Sequence, residues 1–404
     1  MALVSRPSTQ FPPMDEFQDI RPYDDAEVTG VVHRLLADQD FLDFLGRYDS
    51  PRLARFAPIL VRWAARRQVR KLIGDISTID EFQDVVARYV SKIIDETMAG
   101  CEFVGLEHLR KDKAYLFISN HRDIAGDSML VDFVLHQSGY KTVRIAVGDN
   151  LLQRPFATDI MKLNKSFFIR RSETGTRKVF AAMMLSSRYI QSSLASGHSV
   201  WIAQAEGRAK DGIDETETAL VKMLALADRK RPFDETIASL SIVPVTLSYE
   251  YDPCDLLKAK ELSIRRRTGD YQKPPGEDLQ SLATGLGGFK GRVVLQFGDV
   301  LDGKFETPAA VAAELDRQIL EGLRLYPANF EALRLVASEP GADARYQHAL
   351  ERVCESYRTL RDDRFEARVE QCLPEWRPEL LAMYANPIVN KLDHGIEPTL
   401  SVGA

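Results

Sequence analysis

The spacing of apolar and polar positions divides the chain into three stretches. From about residue 25 to 98 apolar residues recur at helical spacing, with breaks near Ser50-Pro51 and at Pro58. The middle then changes period. Short β-rich runs at 115–119 (YLFIS), 143–147 (VRIAV), 166–169 (SFFI), 200–205 (VWIAQA), 242–249 (IVPVTLSY) and 293–298 (VVLQFG) alternate with helical stretches, among them 128–136 and 177–196. Alternation of this kind predicts an α/β fold, with a mostly parallel central sheet, helices on both faces, and flanking N- and C-terminal helical regions. After Phe305 the helical period returns, and Thr307-Pro308 reads as a cap followed by proline in the first turn. Pro7, Pro12, Pro13 and Pro22 make the first 25 residues irregular, and the tail from Asn386 reads as poorly ordered. The expected organisation is a helical region over 1–97, an α/β domain over 98–303 and a helical region over 304–404.

Composition narrows the function classes. Of 404 residues, 45% are hydrophobic and 28% charged, which is enough apolar material for a sizeable core. A net charge of -6 argues against a general nucleic-acid binder. No apolar run reaches the length of a membrane span, and the N-terminus lacks a signal-peptide core. A cytoplasmic protein is expected. Cys101, Cys254, Cys354 and Cys372 are scattered and form neither a zinc ligand set nor a disulfide framework.

Candidate chemistry concentrates in four segments. In SNHRDIAGDSMLVDFVL, His121 lies just past a buried-type strand, where ligands bind in α/β folds. A histidine acting as general base needs a carboxylate to set its tautomer. Asp127, ahead of the apolar helix, and Asp123 are the two candidates; Asp127 could also cap the helix at Ser128. In NKSFFIRRS a β-rich run ends in Arg170 and Arg171, and in QAEGRAKDG another ends in Glu206, Gly207, Arg208 and Lys210. Arginines at strand ends suit a phosphate, since guanidinium binds its oxygens bidentately. Gly207 lets the backbone approach a ligand. The fourth segment, IVPVTLSYEYDP, is apolar with Pro244 inside it.

In order and content these segments resemble the four blocks of the glycerol-phosphate acyltransferase superfamily: N-H-x4-D, F-I-R-R, E-G-x-R and V-P-V. Here they read His121 with Asp127, Phe168-Ile169-Arg170-Arg171, Glu206-Gly207-Arg208 and Val243-Pro244-Val245. Two blocks depart from the pattern. Five residues rather than four separate His121 from Asp127, and Arg208 follows Gly207 directly. The resemblance implies transfer of a fatty acyl group from acyl-CoA or acyl-acyl carrier protein to a hydroxyl of glycerol 3-phosphate or lysophosphatidate, in phospholipid synthesis. It implies that His121 is the base and Asp127 its partner. Arg170, Arg171, Arg208 and Lys210 would hold the phosphate, Glu206 a hydroxyl or those cations, and Pro244 would shape the site. Arg170 and Arg208 are expected to follow neighbouring strands. No cofactor is implied. A different lyso-lipid or amino-lipid acceptor, or a non-catalytic lipid- or carrier-binding role, remain the alternatives.

One feature lies outside the resemblance. Residues 51–74 carry Arg52, Arg55, Arg62, Arg66, Arg67, Arg70 and Lys71 with no acidic residue, interleaved with Leu60, Trp63, Val69, Leu72 and Ile73. Such a stretch suits peripheral contact with the anionic inner face of a membrane, or with an acidic carrier protein. Arg265–Arg267 form a second basic cluster, read as part of a loop.

Overall fold

A computed structural model describes residues 14–149 and 154–401. Pro7, Pro12 and Pro13 lie outside the described residues. Among the described residues five α-helices precede the sheet: α1 (Asp25–Ala37), α2 (Gln39–Asp49), α3 (Pro51–Phe56), α4 (Pro58–Ile73) and α5 (Ile79–Thr97). Pro51 and Pro58 each open a helix, where a missing N–H costs nothing. The central part runs β1 (Met98–Val104), β2 (Leu116–Ser119), α6 (Gly126–Gln137), β3 (Arg144–Gly148), α7 (Pro155–Leu163), β4 (Ser166–Ile169), α8 (Thr176–Ala195) and β5 (Val200–Ala203). It continues through α9 (Thr218–Leu224), α10 (Phe233–Ser239), β6 (Ile242–Tyr249), α11 (Asp255–Thr268), α12 (Glu277–Gly287) and β7 (Gly291–Phe297). Six helices follow: α13 (Pro308–Gly322), α14 (Pro327–Ala337), α15 (Ala344–Arg352), α16 (Glu355–Arg358), α17 (Asp363–Gln371) and α18 (Arg377–Asp393). Thr307 caps α13 by accepting from Ala310 N–H at 3.2 Å.

The strands form one sheet in the order β1-β7-β6-β2-β5-β3-β4, parallel throughout except for the antiparallel β6–β7 pair. Successive side chains point to opposite faces, and each face has its own core. Leu116 and Ile118 pack with Tyr189, Ile190, Val221 and Leu315 from α8, α9 and α13. Phe117, Val243, Val245 and Leu247 pack with Leu130, Val134 and Leu135 of α6. Helices therefore cover both faces, and the sheet reads as near-continuous apolar runs in sequence. Pro244 fits a central strand because it lies just before the first β6–β7 pair, Val245–Phe297, where its missing N–H breaks no ladder pair; its carbonyl still accepts from Gly298 N–H at 2.8 Å.

Two expectations require correction, and one strand is not anticipated by the sequence. Strand β1 interrupts no pattern visible in sequence, because Met98 both ends α5 and begins the strand. Arg265–Arg267 are the last turn of α11, not a loop, where cations face the helix's negative end. The tail is ordered through α18: Ile388, Val389 and Leu392 are buried, and Leu400 bridges to Leu325. Its polar residues misled because they serve the interior. Asn386 and Asn390 donate to the carbonyls of Asp211 and Asp214 at 2.7 and 2.9 Å.

On α6, buried Asp132 accepts from Val143 N–H at 2.8 Å, tying the helix to β3, while its second oxygen has no hydrogen-bond partner among the described residues. Burial pushes this carboxyl up to about 7. Its folded pKa thus exceeds the ordinary carboxylate value, so the folded state binds the extra proton and loses stability as pH rises toward 7. Asp132→Asn keeps the acceptor for Val143 without the charge. Denaturant melts should show the variant more stable at pH 8 by about 1–3 kcal/mol, with the gap closing near pH 5. A gap of equal size at both pH values would mean that Asp132 does not titrate in this range.

Candidate active site

The topology selects one edge of the sheet. From the adjacent strands β2 and β5 the chain leaves in opposite directions: β2 leads through α6 to β3 beyond β5, and β5 leads through α9 and α10 to β6 beyond β2. Such a reversal opens a crevice at the strands' carboxyl ends. His121 stands two residues past β2, and Gly207 and Arg208 lie in the loop past β5. The His121 carbonyl accepts from Ala209 N–H at 2.8 Å, so the two loops are joined.

Asn120 places the histidine. Its side-chain amide pairs with the Leu247 backbone, donating at 3.0 Å and accepting at 2.8 Å, in the manner of one more ladder pair. Nδ1 of His121 lies 2.7 Å from Asp127 Oδ2. That oxygen also accepts from the N–H groups of Arg122 (2.6 Å) and Asp123 (3.0 Å), and Tyr249 donates its hydroxyl to Oδ1 at 2.8 Å. Asp127 is fully buried, and its other three contacts are donors, so its carboxylate oxygen offers the imidazole only an acceptor. Nδ1 therefore carries the proton, and Nε2 keeps its lone pair. The ring meets Trp201 edge-on, centroids 5.9 Å apart.

The extra residue between His121 and Asp127 is absorbed in the turn before α6. Asp123 Oδ1 accepts from Ala125 and Gly126 N–H at 3.0 and 2.7 Å. The N-cap of α6 is Ala125, without a side-chain cap; Asp123 takes the first helical amide, Gly126 N–H, and Asp127 is turned back onto the loop. Burial, then the negative charge of Asp127, push the Asp123 carboxyl up. Its Oδ2 lies against Gly285 of α12, where a Cβ would come within 2.1 Å.

Two clefts meet at His121, and both are also lined by Gly207 and Arg208. The first arises because β3 and β5 pair only at Arg144–Val200 and Ile145–Trp201 and then part. Ile124, Ile145, Val147 and Trp201 give it apolar lining, and Arg171, Arg208, Lys210 and Lys273 cationic lining beside Asp278; it holds about 150 Å³. The second is polar, with Gln204, Glu206, Asp211 and Glu217 on its lining. Gly207 sits between them with φ 83°, a conformation unfavourable for other residues.

The structure sorts the residues singled out in the sequence. His121, Asp127, Arg171, Gly207, Arg208 and Lys210 converge. Lys210 is paired with buried Glu261 of α11, so its charge is largely matched from within, and burial pushes its ammonium down. Glu206 is exposed, with its carboxylate 3.9 Å from Arg171. Arg170, just past the end of β4, points elsewhere, to Asp19 at 2.9 Å. Strand β3 lies between β4 and β5, so Arg170 and Arg208 do not follow neighbouring strands. Pro244 pairs in register with Ile118 and faces α13 on the other side of the sheet; it lines neither cleft. Sequence reasoning missed Tyr249, Trp201, Lys273 and Arg122. The last reaches across to Asp214 and ties the histidine loop to the loop after β5.

Residues 100–248 match the family model described as Acyltransferase. That segment contains His121, Asp127, Arg171 and Arg208 and has the sequence character of an acyltransferase domain. The match supports acyltransferase activity for this domain. Among solved structures it is similar to the 1-acyl-sn-glycerophosphate (LPA) acyltransferase PlsC from Thermotoga maritima, at 13% identity and TM-score 0.36, over 69% of this chain and 92% of that one. A likeness that slight carries no argument about substrate. No curated protein matches the sequence.

Proposed function

We propose that the protein transfers a fatty acyl group from a CoA or carrier-protein thioester to a hydroxyl of glycerol 3-phosphate or lysophosphatidate. The observation that carries this reading is the His121–Asp127 pair in a cleft lined by both apolar side chains and four cations. Nε2 takes the proton of the acceptor hydroxyl as its oxygen attacks the thioester carbonyl carbon. The tetrahedral adduct collapses, the C–S bond breaks, and the thiolate takes the proton back from the imidazolium. Asp127 holds the ring in one tautomer and stabilises its transient charge. Arg171 and Arg208 bind the acceptor phosphate, and the apolar lining receives the acyl chain. The test is incubation with radiolabelled acyl-CoA and a panel of hydroxyl acceptors. Product with glycerol 3-phosphate or lysophosphatidate supports the reading. Product only with an acceptor lacking phosphate, or no product, overturns it.

The lipid product must be met at a surface. Among the described residues no helix is long and apolar enough to cross a membrane. Helices α3 and α4 instead expose Leu53, Phe56 (86%), Ile59 (77%), Leu60 and Trp63 beside Arg52, Arg55, Arg66, Arg67 and Arg70. The opposite side of α4, with Val61, Ala65, Val69 and Ile73, is buried. An apolar patch with a basic rim fits an anionic bilayer better than a carrier protein, since the large side chains need a nonpolar phase. Arg62 is held by Asp43 at 2.7 Å and is excluded from this role. Charge reversal of Arg66, Arg67 and Arg70 should weaken binding to anionic vesicles about 100-fold, given about 1 kcal/mol for each basic group. Co-sedimentation unchanged by the triple reversal would rule the patch out.

A further inference from the structure

The cationic lining of the cleft contains one side chain from outside the family segment. Lys273 stands on a strap, residues 270–275, between α11 and α12. Glycines in the left-handed region bracket the strap, Gly269 at φ 83° and Gly276 at φ 88°. Pro274 and Pro275 stiffen its centre, and Tyr271 is hydrogen-bonded to Glu277 at its foot. Lys273 shares the cleft with His121, Arg171, Arg208 and Lys210.

The partners of these cations differ in kind. Lys210 is paired with Glu261, which is buried, so separating them would strand a charge away from water. Lys273 is paired with Asp278 at 2.7 Å, and both side chains reach solvent, with 37% and 22% exposure. An accessible pair of this type contributes little and exchanges readily for a stronger anion. A phosphate oxygen in the cleft is such an anion, and its bond to an ammonium is charge-assisted. Asp278 lines the same cleft and would repel a bound phosphate if left unpaired, but it can turn to water.

Resting on the acyltransferase reading, we propose that Lys273 is a phosphate ligand of this cleft, carried on the 270–275 strap and exchanged from Asp278 to the phosphate of a bound substrate. The acceptor phosphate and the phosphates of coenzyme A share this chemistry, and the experiment separates them. Calorimetric titration with glycerol 3-phosphate, and separately with coenzyme A, is run on the full chain and on Lys273→Ala, Lys273→Arg and Asp278→Asn. Lys273→Ala should weaken one probe about tenfold or more, Lys273→Arg should retain most of the affinity, and Asp278→Asn should tighten the same probe. Loss confined to glycerol 3-phosphate assigns the acceptor, and loss confined to coenzyme A assigns the donor. Unchanged affinity of Lys273→Ala for both probes overturns the proposal. The labelled-transfer assay runs alongside on the same variants. Transfer with the KM for both substrates unmoved by Lys273→Ala sinks the strap assignment and leaves the reaction standing. Lys273-dependent binding without any transfer leaves the phosphate ligand standing and sinks the reaction.

Discussion

His121→Ala should lower the rate of acyl transfer by about 10²–10⁴-fold, the usual range for loss of a general base, while the protein stays folded. The imidazole makes one polar contact, with Asp127, and one ring contact, with Trp201. Its removal leaves Asp127 still held by two backbone N–H groups and the Tyr249 hydroxyl. Thermal melts should therefore move little. Tyr249→Phe is the informative companion. It removes one donor from Asp127 without touching the ring, so the expected loss is in kcat alone and smaller than for the histidine. Asp127→Asn is a poorer probe, because an amide in place of a carboxylate oxygen would confront N–H donors and disturb the turn itself. A folded His121→Ala protein that turns over at the parent rate would remove the general base from the mechanism.

Arg171→Ala and Arg208→Ala should each raise the KM for a phosphorylated acceptor about 10–100-fold, corresponding to about 1.5–3 kcal/mol for a charge-assisted contact. Arg170→Ala should leave it unchanged. The contrast is sharp because Arg170 and Arg171 are neighbours in sequence, yet only Arg171 lines the cleft. Steady-state kinetics with acceptor and donor varied in turn gives the answer. A rise confined to the acyl donor would place the two arginines on the thioester side. Equal effects at 170 and 171 would mean that general surface charge, rather than a site, is being read.

Much of this arrangement was legible in the residues. Strand runs at 166–169 and 242–249 have the bounds of β4 and β6, because a strand buried on both faces must be apolar throughout. The helix start at Thr307-Pro308 follows from capping, and the breaks at Pro51 and Pro58 from proline's missing N–H, each proline opening a new helix. The residues that converge at the crevice lie at strand ends, and strand ends can be read locally. Only the tertiary structure decided strand order, which puts β3 between β4 and β5 and so separates Arg170 from Arg208. It also decided which of two adjacent arginines faces the cleft, which aspartate meets the histidine, and that Pro244 lies across the sheet. Tyr249 lies 122 positions from Asp127, and Lys273 reaches the cleft on a strap after the last matched block. The tail from Asn386 looked unstructured because its polar side chains are satisfied by carbonyls some 175 residues earlier. Local sequence carries periodicity, caps and strand ends, since those depend on neighbours within a few residues. Partners brought together by chain crossings depend on where the whole sheet closes, and no local pattern records that.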